Sequence, residues 1–166
     1  MGKVQNAFLN GSPGAVSRSV DDIVISLKNV AEVDIPFGAP VFLGSGGAVP
    51  FSTSSPQDFS AFLGFAVRVA DKTPDTYPAG QFNDGNQAGT WKSGDVMEIL
   101  VRGGIAVSLD ATGSMGGKVY IKKSDGSLSA SAGESGTTVE LQNVRIRNVK
   151  DASGCCEVIV SKRNII

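Results

Sequence analysis

Short β-type runs separated by turns are the feature that most limits what this chain can fold into. Residues 65–70 are FAVRVA, 96–101 are VMEILV and 105–107 are IAV, with polar or glycine-containing stretches between them. No window of useful length has the ~3.6-residue apolar period of an amphipathic helix. Strands that recur every ~8–12 residues are typical of all-β sandwiches and barrels. The sequence therefore predicts an all-β fold, a compact β-barrel or jelly-roll-like sandwich with an extended N-terminal arm.

Turn-forming residues add local predictions to this fold. Gly103-Gly104 lies between two apolar runs, so residues 95–109 are predicted to form a hairpin. Asp125-Gly126 predicts a tight turn after which residues 127–131 pair back, and a change of parity at Gln142-Asn143 predicts a β-bulge. Residues 59–70 are mostly apolar, which predicts either burial on both faces or one face in a core and the other in an interface.

The chain of 166 residues is predicted to be one domain preceded by an arm. Residues 1–19 have no apolar periodicity and bury too little surface to offset their ordering entropy alone. We expect an arm over 1–19 that is disordered in the free protein and orders on a partner, followed by a domain over 20–166. A frayed terminus without a partner is the alternative.

Charge and residue content argue against catalysis and against nucleic-acid binding. The formal net charge is −1 and histidine is absent, so no base, nucleophile pair or metal ligand can use an imidazole. Asp71 and Asp84 lack the spacing of a calcium loop, so no metal, cofactor or catalytic residue is predicted. No apolar run approaches the ~20 residues of a membrane span.

Cys155-Cys156 is predicted to be a pair of free thiols, because a disulfide between neighbours is strained. Adjacent strand residues point to opposite faces, so one thiol is expected in the core and the other near the surface. Free thiols and the lack of a signal-peptide pattern predict synthesis in a cytoplasm.

The candidate partner-binding residues come from three places: the arm, a long polar loop over 71–94, and one face of a late strand. A loop of that length is usually functional or disordered. Packing of Tyr77 and Trp91 at the base of the loop is an alternative role for these two side chains. A solvated strand face is the alternative for the late strand, because charge commonly protects exposed strands. These candidates are Phe8, Leu9, Val16, Arg18, Asp71, Pro74, Tyr77, Trp91, Arg145 and Arg147.

Residues 71–78 (DKTPDTYP), followed by 91–107 (WKSGDVMEILVRGGIAV), resemble the structural cement, or decoration, proteins of tailed bacteriophage capsids. The resemblance extends to Pro13-Gly14 and to residues 116–120 (GGKVY), and covers about two thirds of the chain. It implies a small β-domain on the outer surface of the phage head that bridges neighbouring major capsid protein subunits and stabilises the expanded shell. It implies neither an enzymatic activity nor a cofactor.

The resemblance also implies a virion location after synthesis in the host cytoplasm. Its partners would be the major capsid protein and neighbouring copies of itself, as a dimer or trimer, with no direct contact to nucleic acid or membrane. A carbohydrate- or surface-binding β-domain of a phage fibre is the alternative function. In that case Tyr77 and Trp91 would be exposed as the sugar platform.

Overall fold

The computed structural model describes residues 10–17, 20–52, 58–69 and 89–164, and their secondary structure is almost entirely strand. A short 3₁₀ turn covers Phe59–Ala61, and no helix in the described residues is long and apolar enough to cross a membrane. The strands are β1 (Ile23–Lys28), β2 (Ile35–Pro36), β3 (Pro40–Gly44), β4 (Gly47–Pro50), β5 (Phe62–Ala66), β6 (Thr90–Trp91), β7 (Val96–Ser108), β8 (Lys118–Lys122), β9 (Leu128–Ser129), β10 (Thr138–Asn148) and β11 (Cys155–Val160).

Most of these strands form one antiparallel sheet in the order β4-β3-β5-β7-β11-β10-β8-β9, and β1 also pairs with β7. β2 and β6 form a separate two-stranded ribbon. The β4-β3-β5 side of the sheet folds over the β11-β10-β8-β9 side, with β7 shared by both. The result is a sandwich-like all-β fold, as the sequence predicted.

The predicted hairpin over 95–109 is wrong, because β7 runs without a turn through all 13 of its residues. Gly103 has φ 119°, a conformation that favours glycine, and marks the place where the strand changes partners. Before it, β7 pairs with β1 and β5; from Gly103 onward it pairs with β11. Two glycines between apolar runs therefore mark a passage between the two halves of the sandwich.

The apolar residues form two cores, which we call the sandwich core and the edge core. The sandwich core lies between the two halves of the sheet and includes Phe42, Phe62, Phe65, Leu100, Ile105, Val119, Ile121, Val144, Ile146 and Val158. The edge core lies on the opposite face of the β1-β7-β5-β3 region and includes Ile35, Phe37, Val41, Leu63, Trp91, Met97, Ile99 and Val101. β5 is buried throughout because its two faces contribute to different cores, as its apolar run predicted.

Asn29 holds one end of the edge core together. It is fully buried, bridges to Ala48 of β4, and its Nδ2 donates to the carbonyl oxygens of Val33 at 3.0 Å and Lys92 at 3.2 Å. Gly47 is required beside it, because a Cβ there would lie 2.7 Å from Val30 Cγ1 and would also contact the Lys28 carbonyl oxygen. β1 and β4 thus meet at one point, without closing into a barrel.

Two local predictions, one turn and one β-bulge, are confirmed. β9 pairs back on β8 after Asp125-Gly126, with Leu128 opposite Ile121. Asn143 has φ 61°, and the β10–β8 register shifts between Glu140 and Arg145, which is the predicted bulge.

The cysteine prediction is correct on oxidation state and wrong on exposure. Both thiols are free, but Cys155 and Cys156 are 3% and 0% exposed. Burial, followed by nearby negative charge, raises the pKa of the Cys156 thiol to about 12. Cys155 faces away from the sandwich core, where the segment beginning at Asn10 lies against β11 and donates from Asn10 Nδ2 to the Cys155 carbonyl oxygen at 2.9 Å.

Candidate functional site

The described residues contain no group of histidine, cysteine, aspartate and glutamate side chains that could hold a metal ion. A cavity of about 340 Å³ lies between the 36–40 segment and the turn at Gly126. Its ionisable lining residue, Asp110, is ion-paired with Lys122. The surfaces of the sandwich are therefore the candidates for function.

The first surface is formed by residues 10–17, which we call the strap. The strap lies along β7: Gly14 and Ser17 N–H groups donate to the carbonyl oxygens of Ala106 and Gly104, both at 2.8 Å, and Ala106 N–H donates to Ala15. Residues 10–17 of the predicted 1–19 arm are thus held against β7, and the rest of that arm lies outside the described residues. Backbone hydrogen bonds, which need no apolar periodicity, hold this segment in place.

Specific contacts fix the strap at its first residue and near its midpoint. At one end, Asn10 N–H donates to Asp151 Oδ2 at 2.6 Å and Asn10 Nδ2 donates to the Val149 carbonyl oxygen at 2.8 Å. Gly14 further along has φ 81°, and a Cβ there would lie 2.9 Å from the backbone nitrogens of Arg68 and Gly38. The strap therefore crosses a point of backbone contact that a larger residue could not occupy.

Ionic residues of β10 and β11 form the second surface, beside the strap. Arg145 Nη1 donates to Glu140 Oε1 at 3.2 Å, and Arg147 Nη1 lies 3.7 Å from Glu157 Oε1. Lys118 also pairs with Glu140, at 2.7 Å. The hydrogen bond from Lys118 holds the pKa of Glu140 below its ordinary value, and the same bond raises the pKa of Lys118.

Gly104 brings the strap and this ionic surface together. A Cβ on Gly104 would overlap Ser17 Oγ and would lie 3.4 Å from Arg147 Nη1 and 3.5 Å from Glu157 Oε1. Ser17 Oγ is buried and has no hydrogen-bond partner among the described residues. Of the predicted residues, Arg145 and Arg147 therefore lie on a surface next to the strap, and Val16 lies within the strap.

The third surface is the outer edge of β1, which sequence analysis did not single out. Val24 is 41% exposed there, and Ile23, Ile25 and Leu27 pack against the edge core while remaining partly exposed. An alternating apolar pattern predicts which face of a strand is buried, but not whether a neighbouring strand covers its edge.

A protein-family model described as "Structural cement protein (E217 gp24/Pam3 gp6)" matches residues 2–160. This chain belongs to the structural cement protein family. The cement protein is also similar in fold to a chain in the solved structure "The capsid of Myoviridae Phage XM1", with a TM-score of 0.72 and 15% sequence identity over 97% of this chain and 96% of that one. No curated protein matches it. The cement protein is accordingly a structural protein of the phage capsid, and its location is the virion.

Trp91 of the cement protein is not available as an exposed platform. It is 4% exposed, its Nε1–H donates to the Val67 carbonyl oxygen at 2.9 Å, and its ring meets Phe37 edge-on at 6.1 Å between centroids. This geometry does not favour the sugar-binding alternative, which requires the ring to be exposed.

Among the predicted contact residues of the arm, the structure describes Val16, which is 39% exposed and bridges to Ile105 of β7. The predicted contact residues that the structure does not describe are Phe8, Leu9, Arg18, Asp71, Pro74 and Tyr77.

Proposed function

We propose that this cement protein binds the outer surface of the expanded phage head, bridges neighbouring major capsid protein subunits and stabilises the shell. It acts without catalysis and without a cofactor, and it does not contact nucleic acid. It is made in the host cytoplasm and associates with copies of itself. The observation that carries the proposal is the family match over residues 2–160.

The geometry supports a contact role over a catalytic one. The described residues build a sandwich with a strap and a paired ionic surface, and they contain no group of side chains that could hold a metal ion. Many copies on a lattice convert modest contacts into firm retention, so no single deep pocket is needed. A protein that binds the assembled shell and not free subunits stabilises it by mass action.

The order of addition tests the location on the outer surface. Closed, DNA-filled heads that lack the cement protein are mixed with purified full-length protein and sedimented, and their thermal DNA release is then recorded. Co-sedimentation with a raised release temperature is expected. Binding to open or unexpanded shells alone would contradict the proposal.

Removing residues 1–9 tests the contribution of Phe8 and Leu9. This deletion leaves the strap intact, whereas a longer one would remove its hydrogen bonds to β7. Burying each of these apolar side chains would contribute on the order of 1.5–3 kcal/mol before ordering costs. We expect a folded protein that no longer raises the release temperature. Equal release temperatures at saturation would assign the cementing to the sandwich.

The ionic surface is tested by comparing two double variants with the same change in charge. Arg145→Ala with Arg147→Ala alters β10, and Lys162→Ala with Arg163→Ala alters the exposed C-terminal segment. If β10 contacts the capsid, the first pair weakens binding about tenfold, ~1.4 kcal/mol, and the second changes it little. Equal affinities would remove Arg145 and Arg147 from the interface.

A further inference from the structure

A groove lined by prolines lies beside the end of β7, and we call it the proline groove. It consists of two cavities, of about 340 and 440 Å³, that share lining residues from the 36–40 segment and from the turn at Gly126. Prolines commonly end strands, but that habit does not explain why four separate elements each contribute one proline to the same groove. In the part of the chain that the structure describes, these are all the prolines: Pro13 of the strap, Pro36 of β2, Pro40 of β3 and Pro50 of β4.

Close contacts at two glycines hold the walls of the proline groove in place. A Cβ on Gly38 would lie 3.1 Å from Pro13 Cβ, and a Cβ on Gly126 would lie 2.5 Å from Phe51 Cδ1. Proline, alanine and glycine side chains lose no rotamer entropy when a partner covers them. The groove therefore needs little ordering when a partner binds, which lowers the cost of docking.

The walls of the proline groove offer few hydrogen-bond donors. Prolines have no N–H group, and the N–H groups of residues 37–39 and 126–127 all donate to acceptors within the protein. Gly38 N–H, for example, donates to the Ala66 carbonyl oxygen at 2.8 Å, and Ser127 N–H donates to Asp125 Oδ1 at 2.9 Å. An anion needs donors that these wall segments do not supply. The groove thus favours a partner that brings its own donors.

Carboxylates supply the charge along the proline groove. Asp34, Asp110 and Asp125 line it, and none of its described lining residues is positively charged. Lys92 pairs with Asp34 through a side chain that is 67% exposed, and Lys122 pairs with Asp110. Exposed ion pairs of this kind are weak, so a competing cation can replace them.

Asp125 is the lining carboxylate that these two lysines leave unpaired. It takes part in none of the ion pairs among the described residues. Its Oδ1 accepts from Ser127 N–H at 2.9 Å and from Ser127 Oγ at 2.8 Å. These hydrogen bonds hold the pKa of Asp125 below its ordinary value, so the carboxyl group is ionised at neutral pH. The groove therefore combines an exposed negative charge with apolar proline rings.

We propose that the proline groove binds an extended basic segment of the capsid protein, with a lysine or arginine side chain at Asp125 and apolar side chains on the proline rings. This inference rests on the proposed function and names the chemistry of its capsid contact. A cationic side chain brings the donors that the walls lack, whereas an acidic segment would face like charges. Two joined cavities suit successive side chains of one extended segment.

Two substitutions of opposite charge at Ser108 test this contact on capsids. Ser108 is exposed at the end of β7 and lines the groove. Ser108→Lys should weaken co-sedimentation with capsids by about tenfold or more, because its ammonium group repels the incoming cation, whereas Ser108→Glu should bind as the wild type does. Ser135→Lys, which adds the same charge at an exposed position outside the groove lining, should also bind as the wild type does. Equal losses in the two Ser108 variants, or a loss in neither, would overturn the proposal.

Peptide binding to the free, full-length protein tests the same groove without capsids. The probe is the acetylated and amidated peptide Ala-Leu-Lys-Leu-Ala, titrated while amide NMR signals are recorded, and the control peptide has Glu in place of Lys. The lysine peptide should shift the Ala39, Gly126 and Ser127 signals in a saturable way, and the glutamate peptide should not. Equal shifts from both peptides, or shifts from neither, would overturn the proposal. The same shifts from acetyl-lysine amide alone would assign the groove to a small cation and overturn binding of a segment.

The two measurements separate this inference from the proposed function. A lysine peptide that binds the groove, together with capsids that do not bind the wild-type protein, would contradict the proposed function and leave the preference for basic segments standing. Capsid binding that survives in Ser108→Lys would remove the groove from the contact and leave the proposed function standing. Self-association of the wild type that is lost in Ser108→Lys would assign the groove to a second copy and overturn the capsid segment as its occupant.

Discussion

The two apolar cores of this protein are closed in different ways. The sandwich core has a sheet on each side, and its residues from the second half, such as Val119 and Val144, are 0% exposed. The edge core is closed at one end by Asn29, but along β1 its apolar side chains remain partly exposed. One chain thus carries a core complete within itself beside a core with an open border. The first should therefore contribute more to the stability of the monomer than the second.

Asn29→Asp should have the largest effect, because it disrupts the closed end of the edge core. The substitution removes the donor to one buried and two partly buried carbonyl oxygens and sets a carboxylate among them. Each buried group left unpaired costs about 1–3 kcal/mol. Urea unfolding should show a loss of several kcal/mol. Asn164→Asp is the control, since Asn164 Nδ2 has no partner in the part of the chain that the structure describes, while its Oδ1 accepts from Asn143. Equal losses would contradict the role assigned to Asn29.

Matched isoleucine deletions compare the two cores directly. Ile105 is fully buried in the sandwich core, so Ile105→Ala should cost about 2–5 kcal/mol in unfolding free energy. Ile25 is partly exposed at the edge core, so Ile25→Ala should cost about 1–2 kcal/mol. Chemical denaturation of dilute protein measures both. A cost at Ile25 equal to that at Ile105 would show that β1 is already covered in solution.

Gly104→Ala should loosen the strap that lies against the sandwich, with a smaller effect of about 1 kcal/mol. The added methyl group would overlap Ser17 Oγ and push Ser17 N–H away from the Gly104 carbonyl oxygen. Hydrogen exchange of the Ala106 amide, which donates to Ala15, should accelerate. The Ile146 amide, which donates to Gly117, is the internal reference; if both accelerate together, the change is global and not confined to the strap.

Acid should release the strap at its Asn10 end, the smallest effect of the series. Burial alone would raise the pKa of Asp151, but hydrogen bonds from Ser153, Asn10 and Cys155 outweigh it and leave the pKa below 3.8. The contribution to stability is therefore present above about pH 4 and is lost as the pH falls through the folded-state pKa. Asp151→Asn should remove this acid dependence, at a cost near neutral pH of about 0.5–1.5 kcal/mol. If the protection factor of the Asn10 amide against hydrogen exchange stays the same down to pH 3, this prediction is wrong.

Local patterns predicted the parts of the fold that local chemistry determines. The turn before β9 and the bulge at Asn143 follow from short stretches whose preferences hold in any context. The passage of β7 through Gly103-Gly104 could not be predicted this way, because a hairpin and a strand that changes partners have the same local pattern. The pairing with residues 155–160 decides between them, and it lies far along the chain.

The candidate site was predictable to a smaller extent. Charge alternation placed Arg145 and Arg147 on β10, but their pairing with Glu140 and Glu157 depends on register across strands. The sequence left Trp91 either as a surface contact or as a packing side chain at the base of a loop, and its buried ring agrees with packing. The strap was missed because backbone contacts hold it, and these leave no periodic pattern in the sequence.

The continuity of β7 also has a mechanical meaning. Its first half is bonded to β1 and β5 and its second half to β11, so one unbroken backbone ties both halves of the sandwich together. A force that pulls the two halves apart along the direction of β7 acts in shear on the hydrogen bonds between β7 and its neighbouring strands. In shear, several hydrogen bonds carry the force at the same time. The predicted hairpin would have peeled open one bond at a time from its turn.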